Sequence, residues 1–298
     1  MKHLLSIESL TAAELHDLLA LAAEMKATRG HHAAHPLRHQ CWGLMFSKSS
    51  TRTRVSFEVG IRELGGDVLF LSANDIQLGR GEPIRDTARV MGRMLHGAVI
   101  RTFAQQEVVE FAEYSQIPTI NALTDDEHPC QILADLQTIQ ERLGTLEKKV
   151  VTFVGDGACN VPRSWMWAAA RLDFELRIAA PAPFQPDPKI VAACGPRVSV
   201  TDDIEAAAEG ADVLYTDVWV SMGREDEAAY RVAQLGTYTI DAALVARAKP
   251  GALVMHCLPA YRGKEIAADV LEAHADTIFT QAENRLHAQK AVLARIAR

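Results

Sequence analysis

Between an apolar run and a helical pattern the chain carries Ser47-Lys48-Ser49-Ser50-Thr51-Arg52-Thr53-Arg54. A strand-to-helix turn at this place points several backbone N–H groups and the positive end of the helix dipole at one spot. Ser50, Thr51 and Thr53 add hydroxyl donors, and Arg52 adds a planar, permanently charged fork that fits phosphate. The spacing suits an oxyanion, although the residue types alone leave an ordinary Ser/Thr cap followed by solvated arginines equally open. Four further positions carry chemistry of interest. Arg101 closes an apolar run and His128 precedes Pro129; each could meet a polarised oxygen, or be a surface ion pair and a turn residue respectively. Asp217 follows another apolar run, where a carboxylate could take an ammonium group or cap a helix. Cys257 follows a third, where a thiol is either reactive or inert packing.

Those positions need a scaffold, and 298 residues, 48% hydrophobic and 23% charged, suffice for two domains. A formal charge of -7 with dispersed Lys and Arg argues against a nucleic-acid or membrane surface and makes any anion site local. No apolar run approaches the roughly 20 residues that a membrane helix needs. Met1-Lys2-His3-Leu4-Leu5 opens no signal-peptide core, so the expectation is a soluble cytoplasmic protein. Five scattered cysteines without a CxxC pair predict reduced thiols, no disulfide and no bound metal.

Thr11-Ala12-Ala13-Glu14 reads as a capping box opening a helix through Leu18, Leu19, Leu21 and Ala22, ended by the stretch from Gly30 to Pro36. Strands are then expected at Trp42 to Phe46, Asp67 to Leu71, Ala98 to Phe103 and Thr119 to Leu123. Helices alternate with them, from about Thr53 to Leu64, through Ile84, Ala88, Met91 and Leu95, and near Glu107 to Tyr114. A long helical segment, Pro129 to Leu143, leads to the β-branched run Val150 to Val154. That run opens a second series, with strands near Leu176 to Ala179, Val198 to Val200, Val213 to Thr216 and Leu253 to His256. Pro181 to Pro188 reads as an extended loop. The rhythm predicts an α/β protein of two doubly wound parallel-sheet domains, with the active site in the cleft between them, beyond the carboxyl ends of the strands. The expected divisions are 1–134 and 135–280, with 281–298 a C-terminal helix packing back on the first domain.

Ser50-Thr51-Arg52-Thr53-Arg54 with Val55-Ser56-Phe57-Glu58, then His128-Pro129-Cys130-Gln131, then His256-Cys257-Leu258-Pro259-Ala260 occur in that order. Together they resemble the three signatures of the aspartate and ornithine carbamoyltransferase family, the third in the form ornithine enzymes carry. The resemblance runs from His3-Leu4-Leu5-Ser6 to Ala282-Glu283-Asn284-Arg285. It implies carbamoyl phosphate as the donor, with Ser50, Thr51, Arg52 and Thr53 on the phosphate, Arg101 and His128 at the carbonyl oxygen, Gln131 on the carbamoyl amide and Arg285 completing the anion pocket. Such a site must clamp a phosphate and separately stabilise the carbonyl oxygen.

Asp217-Val218-Trp219-Val220-Ser221-Met222-Gly223 resembles the ornithine-binding loop that aspartate-specific relatives lack. The resemblance implies L-ornithine as acceptor, its α-amino acid head met by Asn160, Asp217, Ser221 and Met222. Cys257 and Leu258 would lie beside the reacting amine and the carbamoyl group. The implied catalytic residues are Arg101, His128, Cys257 and Arg285, the products citrulline and phosphate, the setting arginine metabolism, and no cofactor takes part. Putrescine or acetylornithine is the alternative acceptor, but putrescine offers no α-carboxylate or α-ammonium for Asp217 and Ser221-Met222-Gly223 to read. Gln77-Leu78-Gly79 resembles the family's loop that reaches a neighbouring subunit's phosphate site, which implies a homotrimer or a multiple of trimers. One departure stands out: Gly155-Asp156-Gly157-Ala158-Cys159-Asn160 keeps only the second of the two adjacent Asn usual in ornithine enzymes, and Val161-Pro162 follows, so a shifted helix start is expected. The same turn lacks the full glycine fingerprint of a dinucleotide site.

Overall fold

Helix α1 (Ala12–Ala27) begins at the capping box: the Thr11 hydroxyl accepts from the Glu14 N–H at 3.2 Å, and the Glu14 carboxylate accepts from the Thr11 N–H at 3.0 Å. Two orphan donors of the first turn are thereby satisfied, and Leu15, Leu18, Leu19 and Ala22 turn to the core. The computed structural model describes residues 1–72 and 81–297, so Gln77 lies outside the described residues. The chain forms two units, Met1–Gln137 with Asn284–Arg298, and Thr138–Glu283.

In the first unit β1 (Cys41–Phe46), β2 (Asp67–Ser72), β3 (Gly97–Arg101) and β4 (Thr119–Leu123) form a parallel sheet in the order β2-β1-β3-β4. Helices α2 (Thr51–Glu63), α3 (Ile84–Met91) and α4 (Gln105–Ser115) alternate with the strands. Met45, Ala88, Ala98, Ile100, Val108 and Phe111 make one buried cluster of sheet and helix side chains. Strand β3 stops at Arg101 instead of continuing to Phe103, because the ladder shifts register between Ile100 and Arg101, and Phe103 is exposed. Helix α3 stops at Met91 instead of reaching Leu95; Gly92 caps it, and glycine is a poor helix former.

Helix α5 (Pro129–Leu143) carries the chain into the second unit. There β5 (Val150–Val154), β6 (Glu175–Ala179), β7 (Val198–Thr201), β8 (Val213–Thr216) and β9 (Leu253–His256) pair in the order β7-β6-β5-β8-β9, all parallel. Helices α6 (Asn160–Arg171), α7 (Pro188–Cys194), α8 (Ile204–Ala208), α9 (Ala228–Leu235), α10 (Ala242–Val245), α11 (Ala268–Ala273) and α12 (Ala275–Ile296) complete it, α12 returning the chain to the first unit. Val154, Leu214, Val254, Ile240, Ile266 and Ile278 belong to its buried core. The expected loop from Pro181 to Pro188 instead holds a 3₁₀ turn at Ala182–Phe184, and Pro188 starts α7, where its fixed φ and missing N–H suit a first helical turn. Pro162 likewise falls in the first turn of α6, so the departure from the family pattern leaves that helix intact. No helix among the described residues is long and apolar enough to cross a membrane.

Each sheet reverses its winding direction once, between β1 and β3 in the first unit and between β5 and β8 in the second. Loops leaving the carboxyl ends of strands diverge at such a point and open a crevice for ligands.

Candidate active site

Phe46 and Arg101 are register neighbours at the carboxyl ends of β1 and β3, and Ser47 N–H donates to Arg101 O at 2.8 Å. The chain therefore enters the turn to α2 at the crevice of the first sheet. Ser50 caps α2: its oxygen accepts from Thr53 N at 3.3 Å, and its hydroxyl donates to Thr53 Oγ1 at 3.0 Å. Thr53 is buried, Ser50 half-buried, and Thr51 and Arg52 are exposed.

Arg285, buried on α12, gathers the rest. Its Nη1 donates to Gln131 Oε1 at 2.7 Å and its Nη2 to Thr53 Oγ1 at 3.3 Å. With the Gln289 amide turned to suit its neighbours, Gln289 Oε1 accepts from Arg285 Nη2 at 3.0 Å and Nε at 3.2 Å, and its nitrogen donates to Ser56 Oγ at 2.6 Å. His128 is buried, and burial first, then the Arg285 and Arg101 guanidinium groups, push its pKa well below the ordinary 6.5. It is therefore a neutral imidazole at pH 7, suited to hydrogen-bond an oxygen and not to add charge. Burial pushes the Cys130 thiol up to about 12, which leaves it inert. Lys48, in the same turn, is buried over the Phe103 ring at 4.3 Å and ion-paired with Asp125.

Thr53, Gln131 and Arg285 thus form one bonded group, with Ser50 joined through Thr53 and with His128 and Arg101 within electrostatic reach. Thr51 and Arg52 extend it toward solvent.

In the second unit Val154 and Thr216, and Thr216 and His256, are register neighbours, so Gly155, Asp217 and Cys257 leave the carboxyl ends of three adjacent strands. Asp217 Oδ1 accepts from Val218 N at 2.7 Å and from the Cys257 thiol at 2.8 Å. Burial pushes the Asp217 carboxyl up from 3.8, against the pull of His256, Cys257 and Val218. The Cys159 thiol is pushed well above its usual value by burial and then by the charges of Asp156 and Asp217, so Cys159 is no nucleophile.

His256 sets the backbone after β9. Its Nδ1 accepts from Leu258 N at 2.9 Å, which puts the ring proton on Nε2, 3.2 Å from Glu265 Oε1. Leu258 has φ 56, a conformation uncommon outside glycine, and its bond to His256 helps hold it there. Asp217, His256 and Cys257 offer three ligand atoms within 4.8 Å of one another, the one such group among the described residues. A soft divalent cation would suit that donor set, at the expense of the hydrogen bonds those atoms now make.

Asn160, half-buried, opens α6. The preceding turn needs its glycines for shape: Gly155 has φ 132, and a Cβ on Gly157 would lie 2.7 Å from Ile178 Cγ2. Asp156 accepts from Ala158 N at 3.0 Å and from Arg231 Nη1 at 2.6 Å, and the same Arg231 nitrogen donates to Trp219 O at 3.2 Å. Arg231 so ties the 155–157 turn to the segment leading to Ser221 and Met222. Ser221 is half-buried and Met222 exposed, while Gly223 N donates to the Glu225 carboxylate at 3.0 and 3.1 Å. Asp217 and Cys257 are brought into contact.

Arg231, Glu265, Gln289 and Asp156 support these groups, and the residue types gave no sign of it. A lone arginine in an amphipathic helix carries no local mark of a partner 75 positions away.

Two family models match the chain. The one described as aspartate/ornithine carbamoyltransferase, carbamoyl-P binding domain covers residues 2–141, and the one described as aspartate/ornithine carbamoyltransferase, Asp/Orn binding domain covers 147–296. The ornithine carbamoyltransferase of Akkermansia muciniphila is 59% identical, over 100% of this chain and 98% of its own. The anabolic ornithine carbamoyltransferase of Pseudomonas aeruginosa is 48% identical, over 98% and 96%. Among solved structures, the ornithine carbamoyltransferase of Pyrococcus furiosus superposes with a TM-score of 0.93 at 41% identity, over 99% of this chain and 97% of that one. The anabolic enzyme of Campylobacter jejuni gives 0.92 at 40%, over 99% of each.

Proposed function

The chain belongs to the aspartate/ornithine carbamoyltransferase family, and from that premise we propose that it transfers the carbamoyl group of carbamoyl phosphate to the side-chain amine of L-ornithine, giving L-citrulline and phosphate. The observation that carries the choice of acceptor is the Asp217 carboxylate held by the Cys257 thiol at 2.8 Å, beside the second sheet's crevice. An acid there complements the α-ammonium of ornithine. Aspartate, with two carboxylates, would meet repulsion at the same place.

In this reading Ser50, Thr51, Arg52 and Thr53 clamp the phosphate at the start of α2. Arg101 and neutral His128 donate to the carbonyl oxygen as negative charge grows on it. Gln131 meets the carbamoyl NH₂, and Arg285 neutralises the dianion. Asn160, Asp217, Ser221 and Met222 hold the head of ornithine, and Cys257 with Leu258 face its amine. Ornithine's side-chain ammonium, with a pKa near the 10.4 of lysine, must first lose a proton. The free amine then forms the N–C bond, the tetrahedral intermediate breaks the bond between its carbon and the bridging oxygen of the phosphate, and the departing phosphate takes the surplus amine proton. No cofactor enters. The direct test is citrulline release by purified protein offered ornithine, putrescine, acetylornithine or aspartate; a clear preference for putrescine would refute the assignment.

The assembly we propose is a homotrimer, or a multiple of trimers, working in the cytoplasm. Support comes from the resemblance of Gln77-Leu78-Gly79 to a loop that serves a neighbouring subunit, and from five free thiols, which suit a reducing compartment. Mixing inactive Arg52→Ala and Gln77→Ala variants should restore activity by rebuilding unmutated sites, and mixed oligomers as inactive as their parents would refute sharing.

A further inference from the structure

The Gln131 amide sits between two charged groups that read its two ends. Arg285 Nη1–H points to Gln131 Oε1 at 2.7 Å, and Gln131 Nε2 donates to Asp135 Oδ1 at 2.8 Å, one helical turn further along α5. Gln131 is 1% exposed and Asp135 0%, so water does not blur the choice. A guanidinium only donates and a carboxylate only accepts. Both neighbours therefore select the same orientation of an amide whose ends are otherwise nearly alike in shape. Turning it over would set N–H against N–H at Arg285 and oxygen against oxygen at Asp135. The two anchors differ once a donor arrives. Arg285 is shared among Gln131, Thr53 and Gln289, and an arriving phosphate competes for it. The carboxylate of Asp135 is drawn toward no anion, so it is the anchor that persists in the loaded site.

We propose that Asp135 is the positioning residue for donor selectivity: it holds Gln131 with its oxygen available to the site, so that the pocket accepts a hydrogen bond from a carbamoyl NH₂ and disfavours an acyl phosphate bearing a methyl group there. The proposal rests on the carbamoyl-transfer reading above, in which Gln131 meets the carbamoyl amide.

Carbamoyl phosphate and acetyl phosphate are the probes, compared through the KM of the first and the competitive inhibition constant of the second in the full-length enzyme. Loss of the Asp135 charge changes the field on either dianion alike, so the ratio of the two constants reports the orientation of Gln131 alone. Asp135→Val keeps similar volume and removes the acceptor, whereas Asp135→Asn keeps an oxygen that Gln131 Nε2 can reach. Preference for carbamoyl phosphate should fall about tenfold in Asp135→Val, the value of one ordinary hydrogen bond. It should stay within about threefold of wild type in Asp135→Asn, which retains that bond. Gln131→Ala should lower the preference for carbamoyl phosphate, and adding Asp135→Val to it should lower that preference no further. Circular dichroism and melting temperature report folding, and Asp135→Ala replaces the Val variant if the latter does not fold. Parallel weakening of both probes in Asp135→Val, an equal fall in Asp135→Asn, or an unchanged ratio in Gln131→Ala would each overturn the proposal while citrulline formation stands. A wild-type protein that makes no citrulline would overturn the underlying reading and this proposal with it.

Discussion

A buried neutral histidine leaves a signature in the pH dependence of stability. His128 is 5% exposed, and its pKa is held well below 6.5 by burial and by two guanidinium groups. In the unfolded chain the same imidazole titrates near 6.5. The unfolded state therefore binds the proton more readily, and stability present above pH 6.5 is lost as pH falls through it. At pH 5.5 a histidine that takes up no proton in the fold costs RT ln(1 + 10), at most about 1.4 kcal/mol, against less than about 0.1 kcal/mol at pH 7.5. His128→Asn removes this contribution while keeping a polar side chain. Urea unfolding at pH 7.5 and 5.5, at constant ionic strength, should show the wild type losing more stability than the variant by up to that amount. His32 and His274, also held below 6.5, contribute to both proteins and cancel in the difference. Equal losses in the two proteins, or an NMR titration placing folded His128 near 6.5, would refute the neutral assignment. With it would go the role of His128 as an uncharged donor to the carbonyl oxygen.

Other consequences are equally direct. Arg231→Met leaves the buried Asp156 carboxylate without its ion-pair partner, so calorimetry should show a loss of about 3 kcal/mol and kinetics a raised KM for ornithine; unchanged values of both would refute a tie between the two loops. Cys257→Ala removes a bond that lowers the already raised Asp217 pKa, so the carboxylate should be lost at higher pH. The rise in ornithine KM on acidification should then begin at higher pH than in wild type, and KM profiles that superimpose throughout acidification below neutral pH would count against it. Arg52→Ala removes an exposed side chain, so turnover should fall by about 10²-fold or more with the melting temperature unchanged; normal turnover would make Arg52 an ordinary solvated residue.

The strand and helix rhythm of this chain was legible without coordinates because hydrophobic periodicity and caps are local properties: the Thr11 box, the β-branched run at Val150–Val154 and the position of α5 all follow from neighbours in sequence. The family signatures likewise marked Thr53, Gln131, Asp217, Cys257 and Arg285, because motifs are read along the chain. Where β3 and α3 stop was not legible, since a register shift against β4 and a capping glycine decided those ends. Sheet order was settled only by the fold: β3 lies beside β1, and β8 beside β5, through side-by-side pairing of strands distant in sequence. Pairing of β3 with β1 places Arg101 next to Ser47, and pairing of β8 with β9 places Asp217 next to Cys257. Electrostatic environment was decided last of all. No local pattern announces that Arg285 and Arg101 converge on His128, or that Asp135 and Arg285 grip opposite ends of one amide. Those effects depend on burial and on distances across the chain, which exist only once the tertiary structure has excluded water from between the groups.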